Sequence, residues 1–285
     1  MDQDFKVKLL EFVKLALIED VGDGDHTSLS TIGKNKGGEA QLLVKEEGLI
    51  AGVDVALEIF NYIDSSLQVE IFINDGSPVV YGDIILVVRG NIHSILKAER
   101  LVLNVMQRMS GIATRTATYV DLLKETTTKV LDTRKTTPLL RFLEKQAVKI
   151  GGGENHRFGL YDMILIKDNH VDYAGGVSNA IAHATSYKKD FAIDIPIEVE
   201  VRNFEELAEV LACEGVDRVM FDNFTPVDVQ KAVKLVDGRL ITEASGGITL
   251  ETIKDYALAG VDYISVGALT HSVKSLDLSL KAKLI

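Results

Sequence analysis

The feature that most constrains the fold is a strand-then-helix rhythm beginning after residue 125. Candidate strands at 129–133, 163–167, 195–201, 218–222, 240–243 and 263–266 alternate with helical patterns, the signature of parallel α/β architecture. Two helices carry start signals: Asn203 with Glu206 has the form of a capping box, and Thr225-Pro226 pairs an N-cap with proline at the first helical position. Glu200, Asp222, Glu243 and Gly267 mark the ends of four successive strands, so polar residues recur at one edge. In an α/β barrel that edge is the C-terminal face, where active sites lie. A doubly wound open sheet is the alternative, but its phosphate loop follows the first strand, whereas here the glycines come late.

Upstream of residue 125 the texture differs. Leu9, Phe12, Val13, Ala16 and Leu17 recur at helical spacing until the turn-rich run Gly22-Asp23-Gly24-Asp25. β-like stretches follow at 39–45, 68–73 and 84–89, suggesting a small α+β lobe. Residues 93–124 read as helix, with Ala98, Leu101, Val102, Val105 and Met109 on one face, Arg100, Asn104 and Arg108 on another, and a break at Ser110-Gly111. A chain of 285 residues accommodates two such packed domains.

Composition excludes some functions. A net charge of −11 argues against nucleic-acid binding through phosphate neutralisation. Yet Arg108, Arg115, Arg134, Lys135, Arg141, Lys145, Lys149 and Arg157 crowd one stretch, which points to a basic pocket for a small anion. The one cysteine, Cys213, on the apolar side of a predicted helix, can form neither an internal disulfide nor a Cys-based zinc site, and the expected compartment is cytoplasmic. No uninterrupted apolar run predicts a secretory signal or membrane span.

Chemistry-bearing motifs sit at the strand ends. Asp132-Thr133-Arg134-Lys135-Thr136 places two adjacent cations where strand becomes loop; an anion held there gains charge-assisted bonds, bidentate with Arg134, and otherwise the loop is solvated. Gly151-Gly152-Gly153 precedes Glu154-Asn155-His156-Arg157, and its glycines serve either a close ligand approach or a turn. Lys167, opening Lys167-Asp168-Asn169-His170, suits a Schiff base, an anion contact or a structural role. Glu198 and Glu200 face the same side of a strand; with Asp222 they could hold a ribose or a hydrated magnesium ion, or else pair with Lys167 or Arg134. Ser245-Gly246-Gly247 and Val266-Gly267-Ala268 would expose backbone N–H groups beside helix N-termini as a phosphate cup, and His271 contacts the same anion or caps a helix.

Taken together, Glu99-Arg100, Asn104, Ser110 to Thr114, Asp132 to Thr136, the glycine triplet with Asn155-His156-Arg157, Lys167 to His170, Glu198 to Val201, Asp222-Asn223, Ser245 to Gly247 and Val266 to His271 resemble, in order, the quinolinate phosphoribosyltransferase family. The resemblance implies an incomplete parallel α/β barrel with an N-terminal α+β open-sandwich lobe. On this basis the expected domains are residues 1–110, a barrel over 111–275, and a C-terminal helix over 276–285 packing back on the N-terminal lobe. It implies an enzyme that makes nicotinate mononucleotide, pyrophosphate and CO2 from quinolinate and phosphoribosyl pyrophosphate with Mg2+. Arg134, His156, Arg157 and Lys167 would bind the dicarboxylate, with Arg100 donated across a homodimer interface. Thr133 and Lys135 would reach substrate or pyrophosphate, Glu200 and Asp222 the ribose and Mg2+, and Ser245, Gly246, Gly247, Val266, Gly267, Ala268 and His271 the 5′-phosphate. Lys135, Lys167, Glu200 and Asp222 are the expected catalytic residues. The rivals are another pyridine-acid phosphoribosyltransferase, a relative tied to molybdenum uptake, a Schiff-base lyase using Lys167, and a non-catalytic anion binder.

Overall fold

The computed structural model describes residues 1–283. In chain order the first elements are α1 (Gln3–Val21), α2 (His26–Thr31), β1 (Gly37–Val44), β2 (Gly48–Leu49), α3 (Val53–Ile63), β3 (Gln68–Ile71), β4 (Pro78–Val79), β5 (Ile84–Asn91) and α4 (Ile92–Leu123). There follow β6 (Lys129–Leu131), α5 (Arg141–Ile150), β7 (Ile164–Ile166), α6 (Asp168–Ala174), α7 (Val177–Asp190), β8 (Ile197–Val201) and α8 (Phe204–Ala212). The last are β9 (Arg218–Asp222), α9 (Pro226–Val236), β10 (Ile241–Ser245), α10 (Ile253–Leu258), β11 (Tyr263–Ser265), α11 (Ala268–His271) and β12 (Leu278–Lys283).

Two compact units result. The first comprises Met1–Ala117, Thr136–Gly152 and the residues from Ser272 onward; the second comprises Thr118–Lys135 and Gly153–His271.

The first unit is built on a four-stranded antiparallel sheet in the order β12-β1-β5-β3. Ala40, Leu42 and Val44 alternate with more exposed neighbours along β1, so one face is buried. α1 begins where the Asp2 side chain accepts the Phe5 N–H (2.8 Å) and stops at Gly22, whose φ is +54°.

Two expectations fail here. The described residues of 276–285 hold a strand, not a helix: Leu278 and Leu280 are buried while Lys281 is exposed, and β12 pairs antiparallel with β1 through Leu280 and Leu42. The end of that segment, Leu284 and Ile285, lies outside the described residues. Nor does helix α4 break at Ser110-Gly111. The Ser110 hydroxyl accepts the Ala51 N–H (2.9 Å), and a Cβ on Gly111 would lie 2.3 Å from the Lys274 carbonyl oxygen. That glycine serves close packing, not a turn.

Leu139 has φ +66° and is 82% exposed, so it bears left-handed strain with little burial in return. Relief of roughly 1–2 kcal/mol outweighs the roughly 0.5–1 kcal/mol entropic cost of glycine. Leu139→Gly is therefore expected to raise the denaturation midpoint slightly, read by urea unfolding.

The second unit is a six-stranded parallel sheet, β6-β11-β10-β9-β8-β7, with helices between strands. Among the described residues no ladder joins β6 to β7, so the barrel is incomplete. Val199, Val201, Val219, Phe221 and Ile264 are fully buried in its strands. Thr225 caps α9, accepting from Asp228 N–H, with Pro226 at the first helical position. Asn203 caps α8 as expected, accepting from Glu206 N–H (2.8 Å), but the return bond shifts by one residue: Glu206 accepts from the Arg202 N–H (2.7 Å) and binds the Arg202 guanidinium. Cys213 follows α8 as its C-cap and is half-buried, rather than lying on the helix's apolar side. No helix among the described residues is long and apolar enough to cross a membrane.

Candidate active site

The parallel strands deliver their polar residues to a common edge because each ends in a loop or short helix whose first residues are charged or small. After β6, Asp132 is fully buried; its carboxylate accepts from the His156 N–H (2.9 Å) and the Asn155 side chain (2.6 Å). It thereby ties the His156-Arg157 segment to the end of β6. Thr133 turns the chain by accepting the Lys135 N–H (3.0 Å), which leaves Lys135 exposed.

Arg157 is half-buried, and burial followed by the neighbouring Arg134 guanidinium pushes it below its ordinary range. Two guanidiniums close enough to repel each other concentrate positive charge at this point, a setting that favours a bound anion. One Arg157 nitrogen donates to the Met163 carbonyl (3.2 Å), and Asp162 caps the following loop by accepting from Phe158 N–H (2.6 Å) and Gly159 N–H (2.9 Å).

Lys167 follows β7 directly as the N-cap of α6, where its N–H donates to His170 Nδ1 (2.9 Å). Its ammonium is ion-paired with Glu200 on β8, a carboxylate only 7% exposed. The pairing of Lys167 with Glu200 expected as one reading of the sequence is thus present, and nothing around Lys167 singles it out as a Schiff-base nucleophile.

Asp222 ends β9 beside Ser245, its register partner on β10. Asn223, in the left-handed region at φ +57°, donates its N–H to the Ser245 carbonyl (2.9 Å) and accepts Gly246 against its side chain. Gly246 and Gly247 have φ of +102° and +60°, so their amides turn away from strand geometry. They do not open a helix, as expected from sequence, because α10 starts only at Ile253. Gly267 does: α11 begins at Ala268, and a Cβ on Gly267 would sit 3.1 Å from both the His271 ring and the Lys135 side chain. Lys135, Gly267 and exposed His271 are therefore one cluster, closed further by the Thr270 hydroxyl on the Lys135 carbonyl (2.8 Å). The Val266 N–H is committed to the Leu131 carbonyl (2.9 Å), leaving Gly267 and Ala268 as the amides of that loop.

Other residues singled out in the sequence take the following places in the fold. In the glycine triplet, Gly151 packs where a Cβ would meet the Ala113 carbonyl at 2.5 Å, and Gly152 turns with φ +88°; the triplet is packing and turn. Of the crowded cations, Arg108 lies in the first unit, paired with buried Glu144 (2.9 Å). Arg100 also lies in the first unit, exposed on α4.

Sequence reasoning missed the deeper interior. Glu243 is the third residue of β10, not its end, and is fully buried. Its carboxylate lies 3.6 Å from His156 Nε2 and accepts from Arg218 (3.0 Å), while fully buried Glu198 lies 2.9 Å from the same Nε2. Burial pushes both carboxyls up to about 7, Glu198 against the pull of Arg218 and Glu243 further by the Glu198 charge. The available signal was a charged residue, Glu243, in the middle of β10 rather than at its end. The three candidate ligand atoms lie within 4.8 Å of one another, but the group does not suit a cation. His156 Nδ1 accepts the Arg157 N–H (2.7 Å), which places the neutral ring's proton on Nε2, and Arg218 already balances Glu243.

The comparisons agree with this geometry. The quinolinate phosphoribosyl transferase N-terminal domain model matches residues 25–110 and the C-terminal domain model residues 112–281. The chain is 48% identical to a mitochondrial quinolinate phosphoribosyltransferase (decarboxylating) of Nicotiana tabacum over 96% of its own length and 82% of that protein. It is 44% identical to a probable nicotinate-nucleotide pyrophosphorylase (carboxylating) of Bacillus subtilis, over 98% of this chain and 94% of that one. The crystal structure of NadC from Streptococcus pyogenes superposes with a TM-score of 0.92 at 39% identity, covering 98% of each chain. On its strand order, its pattern of strand-end residues and these matches, the chain belongs to the quinolinate phosphoribosyltransferase family.

Proposed function

We propose that this enzyme transfers the phosphoribosyl group of phosphoribosyl pyrophosphate to quinolinate and releases pyrophosphate, CO2 and nicotinate mononucleotide. The observation that carries the reading is the adjacency of Arg134 and Arg157, in the same barrel unit as Lys167. A dicarboxylate placed against such cations gains charge-assisted, partly desolvated hydrogen bonds. Lys135, Gly267 and His271 form the second cationic and amide-lined cluster, suited to a phosphate, and Gly246 with Gly247 supplies further backbone donors.

Positioning dominates the chemistry. The pyridine nitrogen attacks the ribose anomeric carbon as the bond to pyrophosphate breaks, its electron pair leaving with the pyrophosphate. The new pyridinium then accepts the electron pair of the breaking C–CO2 bond at the adjacent ring carbon, which is protonated from water. Arg134, Arg157 and Lys167 hold the carboxylates, Thr133 orients the Lys135 turn, and His156 supports the dicarboxylate grip. Glu200 and Asp222 face the ribose.

Asp222, half-buried at the strand end, also suits Mg2+ as an oxygen donor, and Glu200 on the neighbouring strand would add a second where its carboxylate is shared between the ion and Lys167. Mg2+ accepts one or two carboxylates and completes its shell with water and substrate phosphate. When bound, it would neutralise charge developing on pyrophosphate. Exposed Arg100 is proposed to serve the site of a second copy in a homodimer, and the single half-buried cysteine supports a cytoplasmic location.

Incubation with quinolinate, phosphoribosyl pyrophosphate and Mg2+ is expected to yield nicotinate mononucleotide with one CO2 per turnover, and chelation of the metal to abolish it. Turnover of nicotinate without CO2 release would assign a different pyridine acid. Borohydride trapping at Lys167 would assign a lyase.

A further inference from the structure

The barrel interior contains more ionisable groups than the proposed reaction uses. His156 is 8% exposed, and both ring nitrogens face protein. Nδ1 accepts the Arg157 N–H at 2.7 Å, while Nε2 lies between Glu198 (2.9 Å) and Glu243 (3.6 Å), aligned linearly with neither. Arg218 closes the far side on Glu243 and stacks over the Tyr263 ring at 4.7 Å. We propose that His156, Glu198, Glu243 and Arg218 form a buried positioning relay that sets Arg157, so that His156 acts on the substrate through Arg157 rather than by touching it. This rests on the reading of Arg157 as a carboxylate-binding residue.

The geometry supports each link. Arg157 is held at two ends, its amide by His156 Nδ1 and its guanidinium by the Met163 carbonyl. His156 is itself anchored by its N–H on Asp132, at the end of β6. An imidazolium would turn Nδ1–H against the Arg157 N–H, so the ring is the Nε2–H tautomer and both nitrogens have protein-facing roles. Beneath it, Glu198 and Glu243 stand against the Nε2 side of the ring and Arg218 closes on Glu243. Apolar side chains of equal volume would fill that space with equal or greater stability. The network's contribution is therefore geometric, and a displacement of Arg157 of about 1 Å is enough to cost up to about a hundredfold in kcat/KM for quinolinate.

The test uses Glu243, to which no substrate contact is assigned. Steady-state kinetics of the full chain carrying Glu243→Ala should show the KM for quinolinate raised about tenfold or more, with KM for phosphoribosyl pyrophosphate and kcat changed less than about twofold. Glu243→Gln, which keeps the shape and the acceptor for Arg218, should restore the quinolinate KM to within about threefold of the parent. A folded Glu243→Ala enzyme with unchanged quinolinate KM, or with both KM values raised alike, overturns the relay. Should the alanine variant fail to fold, the tautomer decides independently: 15N-histidine NMR of the unsubstituted chain, with His156 assigned by its loss in His156→Gln, should show Nε2–H and an unprotonated Nδ1. An imidazolium or an Nδ1–H ring at neutral pH overturns it. If the parent chain does not turn over quinolinate at all, the proposed function fails, while the ring's tautomer, read without substrate, still tests the relay.

Discussion

Lys167→Ala is expected to lower kcat/KM for quinolinate by about two to three orders of magnitude. The lysine lies at the mouth end of β7, and its ammonium pairs with a carboxylate that is only 7% exposed. Truncation acts twice. It removes a cation from the dicarboxylate grip, and it leaves Glu200 without its partner in a poorly solvated place, where an unpaired charge is strongly unfavourable. Steady-state kinetics with quinolinate varied at saturating phosphoribosyl pyrophosphate measures the first effect, and thermal unfolding the second. Arg134→Ala should lose activity by a similar factor, since it too removes a cation from the dicarboxylate grip. Near-normal turnover of both variants would place the dicarboxylate elsewhere.

The second large effect concerns Gly246. A Cβ there would lie 2.3 Å from the Asn223 side-chain oxygen and 2.9 Å from the Asn223 backbone nitrogen. That nitrogen cannot yield easily, since its N–H is bonded to the Ser245 carbonyl at 2.9 Å. With φ at +102°, the backbone is also strained for any residue bearing a side chain. Gly246→Ala should destabilise the chain by about 2–4 kcal/mol and raise KM for phosphoribosyl pyrophosphate, as urea unfolding and initial rates would show. Gly247→Ala is the control: its Cβ would meet nothing within 4 Å, so only the strain of φ +60° remains, about 1–2 kcal/mol. Equal losses in the two variants would mean that the Asn223 contact is not what demands glycine.

Local chemistry made much of the barrel legible. Arg218–Asp222 is an apolar run with charged ends, and the strand occupies those residues; Thr225-Pro226 announces the start of α9 because a side-chain oxygen and a preset φ act within one turn. The strand-end residues Lys167, Asp222 and Gly267 were readable for the same reason, since parallel strands must turn at a common edge. Ser110-Gly111 was misleading because a glycine that breaks a helix and one that admits a neighbouring backbone are the same letter; Lys274, far along the chain, decides between them.

What the sequence by itself determined is the alternation of strands and helices, the side of each strand that carries charge, and the family to which the pattern belongs. These depend on periodicity and on contacts a few residues apart. Tertiary structure alone decided that residues 278–283 pair with β1, that Gly151 packs against Ala113 and Thr116, and that Glu243 meets both His156 and Arg218 inside the barrel. Each of these outcomes joins residues from 25 to more than 200 positions apart, where burial and partner geometry, not local propensity, set the free energy.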